Sequence, residues 1–143
     1  NLNFYTFEFP KFVCTSFNDF YVTMMTPKVA SLKDGNISFD QDGAPISVNN
    51  SLLQVCDKQT AGGNDFSCPL GTSLLTGTGF ESHGATGWLK TQAPVTPGSE
   101  ITLRFAIWDM GDHIYDSTVL VDNFKWSVEA GTAATTTPVE NPK

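Results

Sequence analysis

The chain has 143 residues, which is enough for one domain with its own hydrophobic core. A formal net charge of −7 and only 8 Lys and Arg residues exclude the clustered basic surface that nucleic-acid binding requires, and they disfavour anionic membrane surfaces. No apolar run is long enough to span a bilayer, so membrane insertion is not expected. Phe, Thr and Val favour strands, and 12 Gly with 8 Pro supply turns, so composition predicts an all-β protein.

Two strands and a hairpin are predicted in the first half of the chain. Alternating side chains predict strands over residues 3–9 and 17–25, and Pro10 ends the first of them. Residues 36–48 predict a hairpin whose turn, Asp40-Gln41-Asp42-Gly43, is rich in residues that accept left-handed backbone angles. No signal peptide precedes the first strand, and we expect the chain to be a fragment or a mature product of a longer precursor.

The second half carries the clearest strand pattern. Strands are predicted over residues 88–92, 101–109 and 118–128, and the last two are expected at the centre of a sheet. In the strand 101–109, four apolar side chains alternate inward: Ile101, Leu103, Phe105 and Ile107. Trp108 falls on the opposite, outward face.

These elements predict an antiparallel β-sandwich of jelly-roll type over residues 1–129. Residues 130–143 have no aromatic residue and one bulky aliphatic, so they predict an extended, mobile Thr/Pro-rich linker or tail.

The three cysteines indicate one disulfide. Cys56 and Cys68 flank a Gly-rich loop, and a bridge between them would place the chain in an oxidising compartment. Cys14 is an alternative partner for either, and three free buried thiols are a second alternative. A metal site is disfavoured because no CxxC pair occurs and the histidines are isolated.

An acidic run over residues 108–123 predicts either a cation site or a set of turn formers. It carries the oxygen-bearing side chains Asp109, Asp112, Asp116, Asp122 and Asn123. Ca²⁺ takes six to eight such oxygens, although the spacing does not match an EF-hand loop. Asp and Asn are also frequent turn residues and strand caps.

A glycan site is predicted around Trp108, where an outward indole beside acidic and polar groups suits stacking on a sugar ring. The predicted ligand-binding residues are Trp108, Asp112, His113 and Asp116. Packing under a loop is the alternative for Trp108. A hydrolase is less favoured, because nothing links His83 or His113 to a nucleophile.

Two blocks of the sequence resemble the choice-of-anchor L domain. They are EFPKFVCTSFNDFYV (8–22) and APVTPGSEITLRFAIWDMGDHIYDSTVLVDNFKW (93–126), with GNISFD (35–40) between them. The resemblance covers roughly residues 4–128 and implies a bacterial secreted or surface protein, with especially similar versions in myxobacteria. Where the family commonly has two adjacent acidic residues before the proline, this chain has Phe7-Glu8-Phe9-Pro10.

The resemblance also implies a pairing of first and last strands, as jelly rolls often show. Because both blocks are acidic, this pairing would bring four oxygen-bearing side chains to one edge as a structural Ca²⁺ site: Glu8, Asn18, Asp19 and Asp122.

The sequence therefore leaves three candidate functions, and each of them places the chain outside the cell, either secreted or displayed on the surface. The first is an adhesion or assembly module that binds other surface proteins or copies of itself, with Ca²⁺ as a stabilising ion. The second is a carbohydrate-binding module, and the third a hydrolase.

Overall fold

A computed structural model describes residues 1–32, 34–111, 113–129, 131 and 133–140. It confirms the all-β, antiparallel prediction. The strands are β1 (Leu2–Thr6), β2 (Phe20–Thr26), β3 (Ile46–Ser47), β4 (Gln59–Ala61), β5 (Asn64–Phe66), β6 (Gly84–Ala85), β7 (Leu89–Gln92), β8 (Thr102–Trp108), β9 (Ser117–Val121) and β10 (Thr135–Pro138). One 3-10 turn spans Ser73–Leu75. Within the described ranges, no helix has the length and apolar composition needed to cross a membrane.

The larger sheet is built around β1. On one side β1 pairs with β6 and β7, and β7 pairs with β10 at the sheet edge. On the other side all five residues of β1 pair antiparallel with β9, from Leu2 opposite Val121 to Thr6 opposite Ser117. The implied pairing of the first strand with the last predicted strand, over residues 118–128, is therefore present, although β10 follows it in the chain and pairs with β7.

The smaller sheet has the order β3-β2-β8. β2 and β8 pair over seven residues, from Phe20 opposite Trp108 to Thr26 opposite Thr102. The predicted hairpin after β2 forms a bridge between Phe39 and Pro45, with the left-handed Gly43 (φ +81°) in its turn. β4 and β5 form a separate two-stranded hairpin.

The two sheets pack face to face and enclose the main core. Buried side chains of both sheets meet in one cluster: Leu2, Phe4 and Leu89 from the larger sheet, Tyr21 and Ile46 from the smaller one, and Leu52 from a loop. Phe4 and Ile46 have no exposed surface. This arrangement is a β-sandwich, in which each sheet buries one apolar face against the other.

β1 is buried on both faces. Its residues alternate between the main core and the outer face of the larger sheet, where Tyr5 packs against Phe80 with 5.4 Å between ring centroids. Val55, Leu75 and Ala85 complete this outer cluster. Because the strand is covered on both sides, its two polar residues, Asn3 and Thr6, are buried together with its three apolar ones.

The predicted disulfide is present between Cys56 and Cys68, with Cα atoms 5.2 Å apart. It closes the loop that contains β4 and β5, and both cysteines pack in a buried cluster with Phe9 and Val13. Cys14 is exposed and free, and its Sγ accepts a hydrogen bond from Asn64 Nδ2 at 3.2 Å. The open choice among three cysteines is thus resolved.

The predicted mobile tail includes a strand. Residues 135–138 form β10, and Ala134 and Thr136 are buried. Thr136 is accommodated in the interior because its hydroxyl pairs with that of Thr91 at 2.9 Å and donates to Ile37 O at 3.3 Å. A buried hydroxyl with hydrogen-bond partners costs little, which is why a Thr-rich segment docks on the sandwich.

The expectation that residues 101–109 and 118–128 occupy the centre of a sheet is wrong. Among the described residues, β8 pairs only with β2 and β9 only with β1, so each strand forms a sheet edge. The second strand also ends early, at Val121, and Asn123 has a positive φ of 58° that turns the chain away from the ladder. The apolar, β-branched pattern favours strands but does not determine how many neighbours a strand has.

Candidate functional site: an open apolar side

The sandwich is open along the side where β8 and β9 lie. Phe105 and Ile107 of β8 stand opposite Thr23 and Tyr21, so their side chains share the core-facing side of the smaller sheet. They are nevertheless 49% and 42% exposed. The core face is therefore uncovered at this edge.

β9 forms the other wall of the opening. Val121 lies opposite Leu2 and shares its core-facing side, but it is 48% exposed. Leu120, on the outer face, is 47% exposed. We call the free edges of β8 and β9, with Phe105, Ile107, Leu120 and Val121, the open edge. Unpaired strand edges of this kind are templates for pairing with another chain.

A second exposed apolar element follows β9 directly. In residues 124–128 the aromatic and aliphatic side chains alternate with Lys125 and Ser127, as in a half-buried strand. Phe124, Trp126 and Val128 are 64%, 68% and 105% exposed, and none of them pairs with a strand of the described part of the chain. We call residues 124–128 the apolar segment. A contiguous exposed apolar surface on this scale marks an interaction site in a soluble protein.

At one end of the β1–β9 ladder, two buried carboxylates connect three parts of the chain. Glu8 and Asp19 are 2% and 1% exposed. Glu8 Oε2 accepts a hydrogen bond from the Asp19 amide at 2.9 Å, and Asp19 Oδ1 accepts one from the Met110 amide at 3.1 Å. These bonds join the turn after β1 to the start of β2 and the end of β8.

Asp122 does not join this group. The Asp122 amide donates to Asn1 O at 3.0 Å, at the end of the β1–β9 ladder opposite the end where Phe7 donates to Asp116 O. The predicted cation set is therefore divided: Glu8, Asn18 and Asp19 lie together, and Asp122 is separated from them by the full ladder. Among the described residues, no group of three or more His, Cys, Asp and Glu side chains is arranged to hold a metal ion.

Burial raises the pKa of Asp19, and the neighbouring charges of Asp109 and Asp116 raise it further, while the hydrogen bond from Met110 partly offsets this effect. A buried carboxyl prefers its neutral form. Asp19 therefore opposes folding once it is ionised. Below the unfolded-state pKa, Asp19 is protonated in both states and does not affect the free energy of unfolding. As the pH rises from the unfolded-state pKa to the higher folded-state pKa, Asp19 increasingly lowers the free energy of unfolding.

We expect Asp19→Asn to remove this pH dependence. Asn keeps an oxygen that accepts from Met110 but carries no charge. Lowering the pH from neutral towards the acid range should raise the thermal midpoint of the wild type more than that of Asp19→Asn, as measured by circular dichroism. Equal shifts in both proteins would contradict a raised pKa for Asp19.

Trp108 lies on the outer face of β8, as its alternation predicts, and is 46% exposed. It stacks on Phe20 with 5.1 Å between ring centroids and an interplanar angle of 17°. Phe20 also lines a shallow pocket of about 210 Å³ with polar side chains. The polar lining residues are Asn18, Ser47, Asn49 and Asn50. Asn18 Oδ1 is buried there without a hydrogen-bond partner.

The other predicted glycan-binding residues do not line the pocket beside Phe20 and Trp108. His113 is exposed, and its Nδ1 lies 3.6 Å from Asp109 Oδ2. Asp116 is exposed and accepts from Phe7 through its main-chain oxygen. Asp112 lies outside the described residues. The amide-lined pocket was not predicted from the sequence, because its residues come from β2, β3 and the loops flanking them.

Among known proteins, a family model described as the choice-of-anchor L domain matches residues 2–125. No curated protein matches the chain significantly. No solved structure matches it significantly either. The family is one of surface-associated proteins and is not a known enzyme family.

Proposed function

Because the chain belongs to the choice-of-anchor L domain family, we propose that it is an adhesion or assembly domain that binds another protein at the surface of the bacterium. The observation that carries this proposal is the open edge, where core-facing side chains of β8 and β9 remain about half exposed.

The inward side chains at the open edge are incompletely buried. A β-sandwich is stabilised when each inward side chain leaves water, at roughly 25 cal/mol per Å² of apolar surface. Phe105, Ile107 and Val121 point inward but receive only about half of that stabilisation, because they are 49%, 42% and 48% exposed. A strand from a binding partner would pair with the free main-chain groups and cover these side chains at once. Association rather than catalysis is the activity that this geometry favours.

Binding of the labelled domain to cells of the producing bacterium tests this proposal. We expect Phe105→Glu to lower cell binding at least tenfold, because an inward charge on an edge strand blocks strand addition. The control is Leu74→Glu, which makes the same change at an apolar residue that is 42% exposed in the 3-10 turn Ser73–Leu75. Equal binding by wild type and Phe105→Glu, with both folded, would contradict the proposal.

Carbohydrate binding is a second candidate, supported by the pocket beside the Phe20–Trp108 stack. Amide groups donate to and accept from sugar hydroxyls, and three asparagines, Asn18, Asn49 and Asn50, line this pocket. We expect Trp108→Ala to abolish retention on a glycan array if this surface binds sugars, because it removes the outer ring of the stack. Phe105→Glu should leave such binding unchanged, so the two functions are separable.

The predicted Ca²⁺ stabilisation stays a prediction from the sequence. The Glu8 and Asp19 carboxylates accept hydrogen bonds from main-chain amides. Their structural role in joining the three segments does not depend on an ion.

A further inference from the structure

We propose that two copies of this chain associate by exchange, in which the apolar segment of each copy lies along the free edge of the other copy's β8. This inference rests on the proposed function and names the partner as a second copy. It joins two features that a single chain leaves unsatisfied, the open edge and the apolar segment.

The pattern of the apolar segment matches what the open edge lacks. In an extended conformation, Phe124, Trp126 and Val128 fall on one side and Lys125 and Ser127 on the other. Placed beside β8, the apolar side would cover the exposed core-facing residues. The polar side would face water, so the added strand would have the alternating apolar and polar sides of an ordinary edge strand.

Connectivity disfavours the use of a chain's own segment in this way. The left-handed Asn123 ends the β9 pairing, and β10 holds the following residues at the opposite edge of the larger sheet. β1 and β7 lie between β9 and β10, a crossing of roughly 14 Å at the usual strand spacing. Returning the roughly 14 Å of a five-residue strand and crossing roughly 14 Å amounts to a straight-line distance of about 20 Å. The seven residue steps from Val128 to Thr135 span at most about 25 Å, so a chain that used its own segment would have to run almost fully extended between them.

The exposed area is sufficient for a stable pair. The contributing residues are Phe105, Ile107, Val121, Phe124, Trp126 and Val128, with exposed fractions from 42% to 105%. At about 150–250 Å² for a large apolar side chain, they present roughly 700 Å² per copy. A standard protein interface buries about 800 Å² on each partner. The exchange is reciprocal, because each copy accepts the segment of the copy to which it donates its own, so the pair is a closed two-fold dimer.

Sedimentation equilibrium of the full chain tests the exchange, in a Cys14→Ser background that excludes dimers linked through the exposed thiol. The donor variant is Trp126→Glu and the acceptor variant is Phe105→Glu. We expect each alone to raise the dimer dissociation constant at least tenfold. Leu74→Glu adds the same charge elsewhere and should leave that constant unchanged. Circular dichroism checks that every variant is folded.

A mixture of the two variants provides the sharper criterion. The segment of Phe105→Glu is intact and the open edge of Trp126→Glu is intact, so the mixture should form a heterodimer with one of the two contacts. We expect it to associate more tightly than either variant alone. Non-specific apolar association predicts no such gain in affinity on mixing. If the mixture associates no more tightly than either variant alone, the exchange is overturned.

A folded wild type that stays monomeric over its whole soluble range would also overturn the exchange. If that monomer still binds cells in a manner that Phe105→Glu abolishes, the proposed function stands and the partner is a different protein. If the dimer forms but no cell binding is seen, the exchange stands and the proposed surface contact fails.

Discussion

Phe4→Ala is expected to lower the free energy of unfolding by about 4 kcal/mol, close to the upper range for a single core substitution. Phe4 lies on the central strand of the larger sheet and has no exposed surface. Its ring packs with Tyr21 and Ile46 of the facing sheet, so its removal leaves a cavity between the two layers. Urea unfolding followed by circular dichroism measures the change.

The matched control is Phe124→Ala in the same chain. Phe124 is 64% exposed and contacts the Trp126 ring edge-on at 5.3 Å. In dilute, monomeric protein we expect this change to cost less than about 0.5 kcal/mol, as for other surface substitutions. A large loss for Phe124→Ala together with a small one for Phe4→Ala would mean that the core does not lie between the sheets.

Reduction of the Cys56–Cys68 disulfide is expected to lower the free energy of unfolding by about 3 kcal/mol on the chain-entropy model. The bridge joins residues separated by 12 positions. The reduced thiols stay in the same apolar cluster, so the loss comes mainly from the freer unfolded chain. Unfolding with and without a thiol reductant measures it.

The Cys14→Ser variant is the control for this experiment. Cys14 is exposed and outside the bridge, so its replacement should leave the effect of reductant unchanged. A wild type whose stability does not respond to reductant, with reduction verified by thiol titration, would contradict a stabilising disulfide. A response that disappears in Cys14→Ser would assign the bridge to a different cysteine pair.

Sequence patterns predicted the faces of strands better than their positions in sheets. The alternation in residues 101–107 placed Phe105 and Ile107 on the inward side, and the structure agrees. Alternation reflects which side of a strand faces apolar surroundings. It does not encode that β8 has one pairing partner among the described residues, because pairing depends on β2, about 80 positions earlier in the chain.

The apolar alternation after Ser117 gave no indication that the strand ends at Val121. The prediction of one strand over 118–128 follows from alternation that continues past Asp122. The left-handed conformation of Asn123 divides it into β9 and the apolar segment. Asn is the non-glycine residue that most readily adopts this conformation, and it was the available signal for a break.

The tail shows the limit of reasoning from composition. Few apolar residues predicted mobility, yet β10 docks through main-chain pairing and threonine hydroxyls. Thr has high β-propensity, and a sheet edge needs no large side chain to accept it. The amide-lined pocket was also missed, because its asparagines come from separate turns and lie side by side only in the folded chain.

The most direct measurement of the central claim is hydrogen exchange, read by mass spectrometry, on the chain free in dilute solution and bound to isolated envelopes of the producing bacterium. Association through the open edge predicts that binding slows exchange in peptides covering β8 and residues 122–129. Peptides covering β4, β5 and the 3-10 turn should exchange at the same rate in both states. Protection confined to the pocket beside Trp108, or protection that leaves β8 unchanged, would contradict association through the open edge.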